Sequence, residues 1–345
     1  MNQETLNLLR CPACSAADLT HSVFDEGLNA EILNGVVWCQ NCQHWYPVED
    51  GLLELLAGEL VYWDDRQRFW ACYADRLTAL GLRKDEGQAK STLNELQAKQ
   101  QAHFDWYAEN RGQTYLEYER MPFWRAFDTK TFDSWRPIIE ANTWLLDVGC
   151  AQGRSTFQLA DLPLNIVAFD ISKRLVRQAI NRYRSGNYRA KITFFVADAI
   201  RFPLVDESVD YILVYGVLHH LPDPSRACQE ITRLLKPGGS YFGVENNPTI
   251  FRSAFDLLQK LIPIWHEEAG PQALMADADF QEWFRGNGMR IDTYTTVFVP
   301  PHLINLLGNK LGSWALDASD RIGRSVGFLR DSGGIVVICG CKDRR

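Results

Sequence analysis

The first 57 residues contain no lysine and one arginine, Arg10, against eight acidic residues. That stretch carries a net charge of −7, equal to the formal charge of the whole 345-residue chain, so the remainder is balanced. Contact with a polyanion needs lysine and arginine at its phosphates, so nucleic-acid binding by this segment is disfavoured. The chain also lacks an uncharged apolar run of the roughly 18 residues needed to span a bilayer. No basic stretch followed by an apolar one stands at Met1-Asn2-Gln3-Glu4, so no secretory signal is expected and a cytoplasmic setting is. Hydrophobic residues make up 46% and charged residues 23%, which is ordinary globular composition for one large domain and a smaller one. Nine cysteines in that setting are expected to be metal ligands and core thiols rather than disulfides.

The most informative stretch is Leu145-Leu146-Asp147-Val148-Gly149-Cys150-Ala151-Gln152-Gly153-Arg154-Ser155. Leu145–Val148 reads as a buried strand, Gly149 to Gly153 as a tight turn with little side chain, and Arg154 onward as a helix. A small-residue turn between strand and helix lets backbone N–H groups approach a ligand closely. A second apolar run, Ile166–Phe169, ends at Asp170, a carboxylate placed to accept hydrogen bonds from the two hydroxyls of a ribose. The dinucleotide pattern G-x-G-x-x-G, laid from Gly149, finds Ala151 and Arg154 where it needs glycine, so a nicotinamide cofactor fits poorly.

The turn, Asp147-x-Gly149-x-Ala151-x-Gly153, resembles the acidic-then-glycine motif of the class I S-adenosylmethionine-dependent methyltransferases, with alanine at the middle glycine. More of that pattern follows in order. Ile192–Val196 leads to Ala197-Asp198-Ala199, and Val209–Tyr215 leads to Gly216-Val217-Leu218-His219-His220. A helix from Pro224 to Lys236, the loop Lys236-Pro237-Gly238-Gly239 and a strand from Ser240 to Glu245 come next. The resemblance covers residues 143–246 closely. It implies an α/β Rossmann-like fold, a seven-stranded, mostly parallel sheet with helices on both faces, and S-adenosylmethionine as cofactor. It also implies cofactor-binding roles for Asp147, Gly149, Ala151, Gly153, Asp170, Ile171, Asp198, Ala199 and Tyr215. Arg290–Phe298 and Gly334–Cys341 read as the sixth and seventh strands, an antiparallel edge.

Near the N-terminus, Cys11-Pro12-Ala13-Cys14 and Cys39-Gln40-Asn41-Cys42 form two C-x2-C knuckles. Four thiolates at this spacing complete a tetrahedral zinc shell with no open position, so the site is read as structural and coupled to folding. His44 is left without a ligand role. Trp38 before the second knuckle and Tyr46-Pro47-Val48-Glu49-Asp50-Gly51 after it resemble the small zinc ribbons related to the activator subunit of some RNA and protein methyltransferases. The proline usual just after the glycine is replaced here by Leu53.

The chain therefore divides into a ribbon at 1–57, an aromatic-rich connector and cofactor-capping segment at 58–142, and a methyltransferase domain at 143–345 with an insertion at 299–330. In the connector, Trp63, Phe69, Trp70, Tyr73 and Leu77 recur at helical spacing, as packing residues do, and residues 81–101 are polar, a link or an exposed helix. Tyr107, Tyr118 and Trp124 are candidates for the wall of the cofactor pocket. In the insertion, Leu303, Leu307, Leu311 and Trp314 form one apolar stripe, read first as packing onto the sheet or a lid, and second as peripheral membrane contact.

A sulfonium methyl needs an acceptor held in line and water excluded. Where the acceptor is a hydroxyl, a base helps. His220 and His219, after the fourth strand, are the candidate bases, and Glu245 and Asn246 the candidate acceptor-side residues. These features together predict methyl transfer to a small-molecule or lipid-like acceptor on oxygen or carbon. RNA or protein methylation with the ribbon as docking module, or a non-catalytic cofactor-binding partner, are the competing readings.

Overall fold

The computed structural model describes residues 1–27, 30–85, 95–110, 114–263 and 274–344. Its strands are β1 (Leu19–Glu26), β2 (Ile32–Cys39), β3 (Trp45–Glu49), β4 (Leu52–Glu54), β5 (Trp144–Val148), β6 (Asn165–Asp170), β7 (Lys191–Val196), β8 (Val209–Tyr215), β9 (Leu235–Asn246), β10 (Met289–Thr296) and β11 (Ile335–Lys342). The helices are α1 (Gln3–Leu6), α2 (Trp63–Ala79), α3 (Glu95–Asn110), α4 (Thr114–Tyr118), α5 (Pro122–Trp135), α6 (Arg154–Phe157), α7 (Lys173–Ser185), α8 (Pro224–Leu234), α9 (Ile250–Leu261), α10 (Asp277–Arg285) and α11 (Pro301–Ser325).

All eleven strands form one sheet in the order β1-β2-β3-β4-β7-β6-β5-β8-β9-β11-β10. Seven of them, β7-β6-β5-β8-β9-β11-β10, make the expected Rossmann-like sheet, parallel from β7 to β9 and antiparallel at β9-β11-β10. The four extra strands belong to the N-terminal ribbon, whose β4 lies parallel to β7 with Leu53 opposite Phe195 and Glu54 opposite Val196. The strand count is therefore eleven rather than seven, because the ribbon continues the sheet.

The central strands are mainly apolar because both sheet faces are covered. Leu146, Val148, Ile212 and Val214 enter one core, while Leu145, Ile166, Ala168 and Leu213 enter the other. A third cluster joins α2 to the ribbon, with Phe69 and Leu77 packed on Val36 and Trp45. The helical spacing of Phe69 and Leu77 thus reports packing. Residues 95–110 are helical, and residues 86–94 of the polar stretch lie outside the described residues.

Two local readings change. The helix after the glycine turn spans only Arg154–Phe157, and Arg136 donates to the Gln158 carbonyl beyond it. The stretch from Lys236 to Gly239, expected as a loop, is already part of β9, and Lys236 Nζ reaches both Asp210 oxygens at 2.9 and 3.0 Å.

A buried ion pair ties ribbon to sheet. Lys173 Nζ on α7 lies 2.9 Å from Glu54 Oε2 on β4 and 2.7 Å from Asp65 on α2. Burial opposes the Lys173 charge, but the two carboxylates outweigh it and raise its pKa. Removing one partner of a buried pair typically costs about 3–5 kcal/mol, because the other charge stays buried. We expect Lys173→Met to lose stability on this scale in chemical denaturation. Arg174→Met, which removes an exposed pair with Glu109, should change it by no more than about 1 kcal/mol. Equal losses would show that the buried pair does not fasten the ribbon.

Candidate active site

The chain runs outward from β5 to β6 and β7, then returns to the other side of β5 with β8 and β9. The strand order thus reverses at β5, and a crevice opens at the carboxyl ends of β5 and β8, where such sheets bind ligands. Two cavities lie there, of about 130 Å³ and about 200 Å³. Phe104, Arg154, Tyr215, Gly216 and His220 line both.

The smaller cavity is built around the glycine turn. The Gly149 and Cys150 N–H groups donate to the Phe169 carbonyl at 2.9 and 3.0 Å, fastening β5 to β6. Gly149 has φ +70°, and a Cβ there would lie 2.5 Å from a Val217 methyl, so no side chain fits. Ala151 occupies the left-handed region at φ +46°, at a cost of about 1 kcal/mol relative to glycine. Its N–H donates to Asp170 Oδ2 at 3.0 Å, while Ser172 N–H donates to Oδ1 at 2.9 Å. Asp170 lines this cavity with Ile171, Asp198 and Ala199. Burial raises both carboxyls to about 6, against the lowering effect of backbone N–H bonds.

Asp147 and Gly153 are not in the cavity lining. Asp147 is fully buried beneath the turn and accepts the hydroxyls of Ser155 at 2.9 Å and Thr156 at 2.6 Å, at the start of α6. Burial raises its carboxyl to about 7. Gly153 has φ +85° and faces the Phe157 ring, which a Cβ would meet at 2.4 Å. Both shape the turn from below.

The larger cavity is walled by aromatics, among them Tyr107, Tyr118, Phe123 and Trp124, and by His219, Glu245, Asn246 and Arg252. The two histidines differ. His219 Nδ1 lies 2.7 Å from Glu245 Oε2, and the other Glu245 oxygen accepts the Val217 and Leu218 N–H groups at 2.9 and 2.7 Å. His220 lines both cavities, and its ring meets Phe104 edge-on at 5.5 Å. Burial, with His219 and His103 nearby, pushes it down to about 3, so it is neutral across the physiological range.

Several wall residues carried no local signal in the sequence. Asp128 on α5 accepts Arg154 at 2.6 Å and the Tyr215 hydroxyl at 2.6 Å, although these partners are 26 and 87 residues away. Helix α3 covers the smaller cavity with Gln97, Gln100 and Phe104, and Gln100 donates to the His220 carbonyl at 2.6 Å. Gln97 Nε2 is buried and has no partner among the described residues.

Away from the cavities, Cys11, Cys14, Cys39 and Cys42 bring their sulfurs within 4.8 Å of one another, the reach of one metal ion. His44 is exposed and is not in this cluster. No described helix is long and apolar enough to cross a membrane.

Residues 146–243 match the methyltransferase domain family and residues 2–51 match the Trm112p-like protein family. The chain is 30% identical over 102 residues to the 27-O-demethylrifamycin SV methyltransferase of Amycolatopsis mediterranei, covering 29% of this chain and 38% of that protein. It is 31% identical over 123 residues to the demethylmenaquinone methyltransferase of Renibacterium salmoninarum, covering 34% and 49%. The chain thus spans about half or less of the length of these relatives. A solved complex of the Haloferax volcanii Trm112 methyltransferase activator with a methyltransferase aligns with a TM-score of 0.48 at 18% identity, over 71% of this chain and 98% of that one. The chain thus carries a methyltransferase domain at 146–243 and a Trm112p-like region at 2–51.

Proposed function

We propose that this protein transfers a methyl group from S-adenosylmethionine to a small-molecule or lipid-like acceptor, on oxygen or carbon. The observation that carries the reading is the pair of adjoining cavities at the strand-order reversal, one holding the glycine turn with the Asp170 and Asp198 carboxylates, the other walled by aromatics. The smaller suits a nucleoside. Asp170 offers a fixed carboxylate to ribose hydroxyls, and Asp198 one to an adenine amino group, beside the backbone of Ala199. Ile171 packs beside them. Gln97, buried with its amide nitrogen unpartnered among the described residues, is a donor suited to a ligand. When bound, the cofactor supplies an electrophilic sulfonium methyl.

The chain's own residues then hold the acceptor and exclude water. Tyr215 and Arg154, fixed through Asp128, form the wall shared by the two cavities. The aromatic lining suits an apolar acceptor in that position. His219 is the stronger candidate base. Glu245 orients it by its Nδ1 contact, which leaves the other ring nitrogen to take a proton from an acceptor hydroxyl. His220, held neutral near 3, is a poor base and is assigned to the cavity wall. The acidic ribbon argues against RNA as acceptor, and it does not line either cavity. Its four cysteines suit a closed, structural zinc site.

The test is incubation with methyl-labelled S-adenosylmethionine and a fractionated cell extract. Label in the small-molecule or lipid fraction is expected. Label in RNA or protein, or cofactor binding without label in any fraction, would overturn the acceptor assignment. In calorimetry, Asp170→Ala should weaken S-adenosylhomocysteine binding by two orders of magnitude or so with the fold intact. Protonation removes the acceptor that ribose and adenine donors need. Affinity should therefore fall as pH drops through about 6, by about tenfold per pH unit for each carboxylate required, and a D170N/D198N protein should lose that dependence. With a hydroxyl acceptor, His219→Ala should lower kcat by about 10²–10⁴ without changing cofactor affinity, and His220→Phe should lower it far less. Metal analysis should find one zinc per chain, and Cys39→Ser should lose the zinc and lower Tm.

A further inference from the structure

Helix α11 turns the wrong side outward for a packing element. Its buried positions include Gly312, Leu316 and Gly323. A Cβ at Gly312 would come within 2.8 Å of the Ile304 carbonyl, and one at Gly323 within 2.5 Å of the Phe298 ring. Gly312 thus lets the helix close on its own Ile304, and Gly323 lets it approach Phe298; Ile304 and Leu316 are buried, whereas Leu306, Leu311, Trp314 and Ile322 are exposed. A break at Gly308, with φ +73° and ψ −177°, divides it in two. Leu306, 85% exposed, projects before the break, and Leu311 and Trp314, 61% and 69% exposed, project after it.

The apolar surface continues onto α9. His302 at the start of α11 donates from Nε2 to the Ile262 carbonyl at 2.7 Å, which brings the end of α9 against α11. Leu261, next to that contact, and Leu257, one turn earlier, are 72% and 62% exposed. Lys260 on α9, Lys310 and Arg321 on α11, and Arg330 in the stretch after it are exposed. Of the exposed acids there, Asp317 is paired with Lys130 at 2.8 Å, and Asp331 is the other. The same two helices reach the larger cavity through Arg252 and Phe255 on α9 and Pro301 on α11.

We propose that this face of α9 and α11 docks on the headgroup region of an anionic lipid bilayer. Aliphatic side chains and a tryptophan flanked by lysine and arginine match that environment in both depth and charge, whereas a soluble surface rarely exposes such a patch. Docking would set the mouth of the aromatic cavity at the membrane surface, within reach of an acceptor dissolved there. That consequence rests on the acceptor class proposed above; the docking does not.

The experiment is co-sedimentation of the full-length protein with phosphatidylcholine vesicles, with and without phosphatidylglycerol, without any methyl donor. The wild type should pellet with the anionic vesicles and remain in solution with the neutral ones. A protein carrying Leu306→Asp, Leu311→Asp and Trp314→Ala should bind at least about tenfold more weakly, given the apolar area lost from contact. Its thermal melt and S-adenosylhomocysteine affinity should match the wild type, which separates lost docking from misfolding. A K310E/R321E protein should lose the preference for anionic vesicles. The proposal fails if the wild type stays in solution with both vesicles, or if the triple variant pellets as the wild type does. It also fails if the wild type is a dimer that the triple variant dissociates without vesicle binding, since the face would then belong to a second copy. None of these readouts needs turnover, so their failure leaves the methyl-transfer reading standing.

Discussion

The Asp170 carboxylate holds two chain segments at once. One oxygen takes the N–H of Ala151 in the glycine turn, and the other takes that of Ser172 at the start of α7. The ends of β5 and β6 are thereby fixed to each other at the point where the strand order reverses. This is a costly arrangement, since burial raises the carboxyl to about 6 and Ala151 adopts a backbone conformation better suited to glycine. Such strain is sustained where the surrounding sheet over-determines the geometry. The smaller cavity is built around that fixed point.

The N-terminal region is tied to this point by more than chain connectivity. Lys173, three residues after Asp170, pairs with Glu54 of the ribbon. Tyr62, just beyond the ribbon, accepts the Lys173 N–H at 2.9 Å and donates to Asp105 of α3 at 2.8 Å, while Asp105 also accepts Ser172 Oγ at 2.6 Å. The ribbon strands, the covering helix α3 and the loop after β6 thus share one network. Leu53, where related ribbons carry proline, is registered with Phe195 in the junction between the two parts of the sheet. The ribbon thus meets the cofactor side through this network, and no ribbon residue lines either cavity.

The central strands were legible because burial on both faces leaves mainly apolar runs, as in Leu145–Val148 and Val209–Tyr215, each broken by one aspartate. Gly149, Gly153 and the two C-x2-C knuckles were legible because each spacing has a local geometric reason. Long-range partners were not. Nothing near Arg154 announces Asp128, and nothing near Glu54 announces Lys173, 119 residues on. His219 and His220 are adjacent in sequence, yet only the fold gives one a carboxylate partner and the other a place in the wall of both cavities. The Leu303–Trp314 stripe shows how periodicity misleads: it identifies a helix face but not which way that face points. The packed face of α11 combines Ile304 and Leu316 with Gly312 and Gly323, and a periodicity of large residues ignores the glycines.

A crystal structure with S-adenosylhomocysteine bound is the most direct test of the account. The ribose hydroxyls should lie on Asp170, the adenine against Asp198 and Ala199, and the sulfur should face the aromatic chamber across Tyr215 and His220. A ligand whose sulfur points away from that chamber, or whose ribose does not meet Asp170, would contradict the claim that the two cavities form one methyl-transfer site.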